Sequence, residues 1–178
     1  MQFENAVRDS ELRRVSPGSC LRSRADNKEM IAAGNREIYL SAATIERRVD
    51  NMIYRVKTKK ALSEVTRDLE GATQRHKFGI MGTYDLKARM KEKGVEFNRE
   101  CLIFEICNPH QAKKVLEKNA DISTALPCRI SVYQEGNEVV LATLKPTAML
   151  ALFESEGLGS VAREVEDEIF AIMQESSG

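Results

Sequence analysis

Cys107 and Cys128 are the residues of this chain with the most chemistry to offer. Cys107 opens the run Cys107-Asn108-Pro109, and Cys128 closes the run Leu126-Pro127-Cys128. A pair of thiols can serve as a redox switch or a soft-metal site, because thiolate is both the nucleophile and the ligand. Two thiols alone are too few for structural zinc, which takes four ligands. His110 lies three residues after Cys107 and offers a third, and a dimer would double the set. A plainer alternative stands beside this one. Cysteine is also a small buried hydrophobe that fills strand ends, and His110 then sits exposed in a first helical turn.

Two carboxylates come next. Glu105 falls on the same strand face as Cys107. A mid-strand carboxylate is a candidate general base when its surroundings raise its pKa; the favoured reading is that it faces solvent or pairs with a lysine. Asp85 precedes a helical stretch, and capping explains it without chemistry. Gly79-Ile80-Met81-Gly82 is not a phosphate loop, since no G-x-x-x-x-G-K-[ST] occurs. No nucleophile elbow, zincin or dinucleotide fingerprint occurs either. Lys87, Arg89, Lys91 and Lys93 read as a solvated helix face. Without interleaved aromatics they give no case for nucleic acid.

These residues need elements to hold them. Leu102, Phe104 and Ile106 alternate with Cys101, Ile103, Glu105 and Cys107, the period of a strand with one apolar face. Asn108-Pro109 ends that strand and starts a helix, Asn108 as the cap and Pro109 as its first residue. Ala112, Val115 and Leu116 mark the inner face of that helix. Cys128, Ile130 and Val132 begin another strand. Upstream, Ile53, Tyr54 and Val56 suggest a first strand, followed by an amphipathic helix through Leu62, Val65, Leu69 and Ala72. Phe78 to Met81 reads as a second short strand, and a short helix then carries Leu86 and Met90 to Gly94. Glu135-Gly136-Asn137 turns a hairpin into Val139–Leu144. A short helix starts at Lys145-Pro146. The stripe Leu158, Val161, Ala162, Val165, Ile169, Ile172 and Met173 is the C-terminal helix. This order predicts an α+β fold, a mainly antiparallel sheet covered by helices.

Composition sets the bounds. The 178 residues, 42% of them apolar, suffice for one core. Basic and acidic residues balance at 27 each, so no global field recruits nucleic acid or membrane. No run reaches the roughly 18 apolar residues of a membrane span. Four cysteines without a C-x-x-C fit reduced thiols and a cytoplasmic protein. Residues 1–51 differ from the rest: they hold eight Arg and one Lys, where residues 52–178 hold seven Arg and eleven Lys. That segment is expected to be a disordered extension or a mis-assigned start. Glu46-Arg47-Arg48 can be encoded by a purine-rich run just ahead of Met52, which is the expected biological start.

Four segments resemble the bacterial and archaeal family called domain of unknown function 302: residues 78–97, 101–117 and 126–136, and the Lys145-Pro146 segment before the last helix. The resemblance runs over about residues 52–176. Cys107 and Cys128 match its two motif cysteines, and Asp85 matches a family aspartate. The resemblance implies a TBP-like α+β fold, strand-helix-four strands-helix, usually as a homodimer. It implies no established activity, substrate or cofactor. The reading is therefore a small homodimeric domain that binds an unidentified small ligand or protein partner, without catalysis of its own. The alternative is a thiol-based redox or soft-metal-handling protein using Cys107 and Cys128. A meandering sheet makes the two cysteine-bearing strands antiparallel. Cys107 and Cys128 are then expected at one end of the sheet, with Asn108, Pro109 and Pro127 around them and Glu105 on the border. A disulfide, which needs Cα atoms within about 7 Å, is not expected.

Overall fold

The computed structural model describes residues 49–153 and 157–178. The extension expected over residues 1–51 lies outside the described residues, except for its last three. From Ile53 onward the chain runs β1 (Ile53–Thr58), α1 (Leu62–Arg75), β2 (Gly79–Asp85), α2 (Leu86–Glu92), β3 (Cys101–Cys107), α3 (Pro109–Lys118), a 3-10 helix (Ala120–Ala125), β4 (Cys128–Glu135), β5 (Glu138–Leu144), α4 (Pro146–Leu150) and α5 (Gly159–Ser177). The strands form one sheet in the order β1-β5-β4-β3-β2, and every neighbouring pair is antiparallel.

The alternation read in the sequence sets the two faces. Phe104, Ile106, Ile130, Val132, Val139 and Leu141 point to one side and are buried there against Val65, Leu69 and Ala72 of α1 and Ile169, Ile172 and Met173 of α5. Tyr54 of β1 stacks on Phe170 of α5 with ring centroids 3.7 Å apart, which fixes the edge strand to the helical layer. Burying these side chains is worth about 1.5–3 kcal/mol each before entropy is counted.

Local signals start and stop the elements. Ala61 offers no side-chain cap to α1, but its N–H donates to the Glu64 carboxylate at 3.1 Å, half of a capping box. Asp85 caps α2, accepting from the Ala88 N–H at 2.9 Å. The β4–β5 hairpin turns on Gly136 at φ +60, with no positive φ at Asn137; this is the II′ pattern that matches strand twist. β2 extends further than its apolar run, to Asp85, with a bulge between Ile80 and Gly82. Pairing with β3 carries it there despite two glycines, a case of context overriding propensity.

Ion pairs stitch the helices together. Lys60 holds Asp68 at 3.0 Å, and Arg75 of α1 holds Glu175 of α5 at 2.6 Å. The Lys60 hydrogen bond lowers the Asp68 pKa, and the Arg75 hydrogen bond lowers that of Glu175. A carboxylate with a depressed folded-state pKa contributes stability above its unfolded pKa and loses it as pH falls through the folded value. Arg75→Gln is therefore expected to lower the neutral-pH melting temperature slightly, with the difference from the parent shrinking as pH falls through the folded-state pKa of Glu175. Thermal melts followed by circular dichroism between pH 7 and 2 check this. A difference that stays constant with pH would remove Glu175 from the linkage.

Candidate functional site

Ile106 and Cys128 face each other across the β3–β4 pair. Cys107 is the next residue along, so the two cysteines occupy neighbouring strands at one end of the sheet, as an antiparallel connection requires. α3 and the 3-10 helix carry the chain out of β3 and back into β4 at that same end. Asn108 sits at the turn: its Oδ1 accepts from the N–H groups of His110 at 3.0 Å and Gln111 at 3.2 Å. Pro109 follows as the first helical residue. On the return, Pro127 follows Leu126 through a cis peptide bond.

Two spaces open around this end. A small cavity of about 40 Å³ lies between the sheet, α3, the 3-10 helix, α4 and α5. Phe78, Val115, Ile122, Leu150 and Val161 supply apolar wall; Cys107 and Cys128 line it from the sheet, and Asn108 and Gln111 from the start of α3. Outside it runs a groove of about 890 Å³ between the β2 edge and α3. Met81, Pro109, Leu116 and Pro127 line the groove, with Lys113 and Glu117 on its rim. Cavity and groove share Cys107, Ala112 and Leu126. Of the residues predicted for the site, Cys107, Cys128, Asn108, Pro109 and Pro127 are thus brought together.

Residues 54–176 match the family described as Domain of unknown function DUF302. The chain belongs to this family. It is similar to an uncharacterized conserved DUF302 protein from Bacillus stearothermophilus whose crystal structure is known: 27% identity, a TM-score of 0.67, 70% of this chain and 98% of that one covered. No curated protein matches the chain.

In this DUF302 chain the cysteines of the site are free thiols. Burial pushes the Cys107 thiol above its ordinary pKa. Burial pushes Cys128 to about 11, helped by the neighbouring Cys107. Both shifts remove thiolate at neutral pH, the form that attacks disulfides or ligates soft metals. His110 lies exposed on the first turn of α3 and lines neither space. Among the described residues, no group of three His, Cys, Asp or Glu is arranged to hold a metal ion, and no helix is long and apolar enough to cross a membrane.

The two carboxylates stand apart from the paired spaces. Glu105 lies two residues along β3, where it accepts from the Arg129 guanidinium at 2.9 and 3.0 Å and from the Tyr84 hydroxyl at 3.1 Å. That is the ion pair the sequence favoured, with arginine as the partner in place of lysine. Asp85 is at the far end of β2, occupied as a cap. Neither lines the groove or the cavity.

Sequence reasoning passed over Gln111. Its Nε2 donates to Glu164 of α5 at 3.1 Å, tying α3 to the last helix. Its Oε1 is buried without a partner, and it is the only such side-chain atom among the described residues. The available signal was spacing: Gln111 is four residues before buried Val115 and so shares its face of α3. Leu126 entered the sequence reading only as part of the run that leads to Cys128, yet it walls both spaces.

Proposed function

We propose that this DUF302 chain is a binding module that takes a neutral, largely apolar ligand in the groove between β2 and α3, and that it works as a homodimer in the cytoplasm. The groove carries the reading. Its volume of about 890 Å³ falls within the roughly 300–1,000 Å³ of small-molecule sites, and its walls are mostly apolar. The charged groups on its rim, Lys113 and Glu117, face each other at 3.5 Å and offset one another. Met81 and Leu116 in the groove wall are exposed large apolar side chains. The sheet edge beside the groove favours a second copy: β2 carries no charge from Gly79 to Tyr84, whereas the opposite edge strand β1 carries Arg55 and Lys57. Free thiols fit a reducing compartment.

A fluorescent apolar dye tests the binding reading. Leu116→Glu and Met81→Glu each place a charge in the groove wall. Both positions are exposed, at 37% and 67%, so stability is expected to stay within about 0.5 kcal/mol. Dye affinity is expected to drop at least tenfold, about 1.4 kcal/mol. Dye that fails to bind, or binds both variants like the parent, defeats the groove as a ligand site. Light scattering at micromolar concentration tests the dimer, and a monomer mass would defeat that part alone.

A further inference from the structure

Among the residues that line the cavity behind the groove, one buried side-chain oxygen, Gln111 Oε1, is without a partner, and that atom points to a ligand class. Glutamine presents an amide oxygen and an amide nitrogen that exchange places when the group flips. Here Glu164 decides the orientation. A carboxylate only accepts, so the Gln111 NH2 must face Glu164 Oε2 at 3.1 Å and the oxygen must face away from it. The Gln111 backbone N–H is taken up by Asn108 Oδ1 at 3.2 Å. What remains is Oε1, buried, without a partner, on a side chain that lines the cavity.

Water is a poor occupant. A space of about 40 Å³ has room for it, but buried water makes about three hydrogen bonds, and beyond Gln111 this wall offers only the weak thiols of Cys107 and Cys128 and Asn108, whose Oδ1 already accepts twice. Val115, Ile122, Leu126, Met149, Leu150 and Val161 offer side-chain contact and no donor or acceptor. A charged group is worse, because burial without a counter-charge is strongly unfavourable. The geometry points to a neutral alcohol: a short aliphatic skeleton fills the cavity while its hydroxyl donates one hydrogen bond to Gln111 Oε1. This rests on the binding reading above and narrows it, because the cavity and the groove share Cys107, Ala112 and Leu126 as a common wall. The alcohol is then a whole small ligand or the hydroxyl-bearing tip of one whose body lies in the groove.

2-Propanol and acetone test it. They share a carbon skeleton, and only the alcohol donates. Each is titrated into the full chain while methyl resonances of Val115, Ile122 and Val161 are followed by NMR. 2-Propanol is expected to bind about tenfold more tightly than acetone, one hydrogen bond's worth. In Gln111→Met, a side chain of similar length without the oxygen, that preference is expected to disappear; Gln111→Leu replaces it if the methionine variant does not fold. Equal binding of the two probes by the parent overturns the inference, as does a preference that survives in the variant. Absence of both probes from the cavity overturns it too. Retained dye binding in that case leaves the groove reading standing, and loss of both defeats the two together.

Discussion

Phe104→Ala is expected to lower the unfolding free energy by about 3–5 kcal/mol. Phe104 sits mid-way along β3, is 1% exposed, and belongs to the cluster where the sheet meets α1 and α5. Truncation to alanine removes the ring's transfer free energy and leaves a void. Neighbours on three elements hold the walls of that void apart, so collapse is incomplete. A domain stable by about 5–15 kcal/mol would lose a third or more of its margin. Urea denaturation gives the number: the midpoint falls while the slope stays constant, because the surface exposed on unfolding hardly changes. A loss below about 1 kcal/mol would mean that β3 is not the centre of the core. Cys107→Ala, at the half-buried end of the same strand, serves as the contrast and is expected to cost less than about 1.5 kcal/mol.

In a protein whose only cysteine is Cys128, thiol labelling at pH 8 is expected to run about a hundredfold slower than in the unfolded chain. Two causes act together. In the parent, a thiol at about 11 holds about one part in a thousand as thiolate at that pH, against about a quarter for an ordinary thiol, and burial, the larger cause of the shift, persists when Cys107 is replaced. The greater nucleophilicity of that rare thiolate recovers part of the difference. Burial takes it away again, since the side chain is 7% exposed and packed in the cluster with Phe78 and Ile106. A colorimetric disulfide reagent with and without denaturant measures the ratio. Reaction at the unfolded rate would restore the redox alternative. Cys128→Ser in the parent completes the test: a hydroxyl in that setting is expected to cost about 1–3 kcal/mol, because it desolvates without a partner.

The residues differ in how much they disclosed. Leu102, Phe104 and Ile106 announced the core face of β3, because a two-residue period is a local property of the chain. Asn108-Pro109 and Asp85 announced their caps for the same reason: the hydrogen bonds close within three residues. The shared end of Cys107 and Cys128 needed topology as well, and family resemblance supplied the meander that spacing alone left open. The cavity was not legible. Its walls come from Phe78, Val115, Ile122, Leu150 and Val161, five residues from separate stretches of chain that no local pattern connects. Ala120–Ala125 was silent too, since a single 3-10 segment sets up no period to detect. Glu105 showed its charge but not its partner, because Arg129 is a neighbour across strands rather than along one.

The strand order has a consequence in time. β3, β4 and β5 are joined in sequence and lie side by side, so each meets its partner soon after it is made. β1 does not. Ile53 pairs with Leu144, about ninety residues later in the chain, and among the described residues β1 has no other strand beside it. At roughly 5–20 residues per second, a ribosome takes on the order of ten seconds to supply that partner. Throughout that interval α1 has its apolar stripe made but only an unfinished sheet, and no α5, to set it on. Loop closure over so long a span delays the reward until late. The first of the described strands to emerge is thus the last to be seated, and its docking covers the edge of β5.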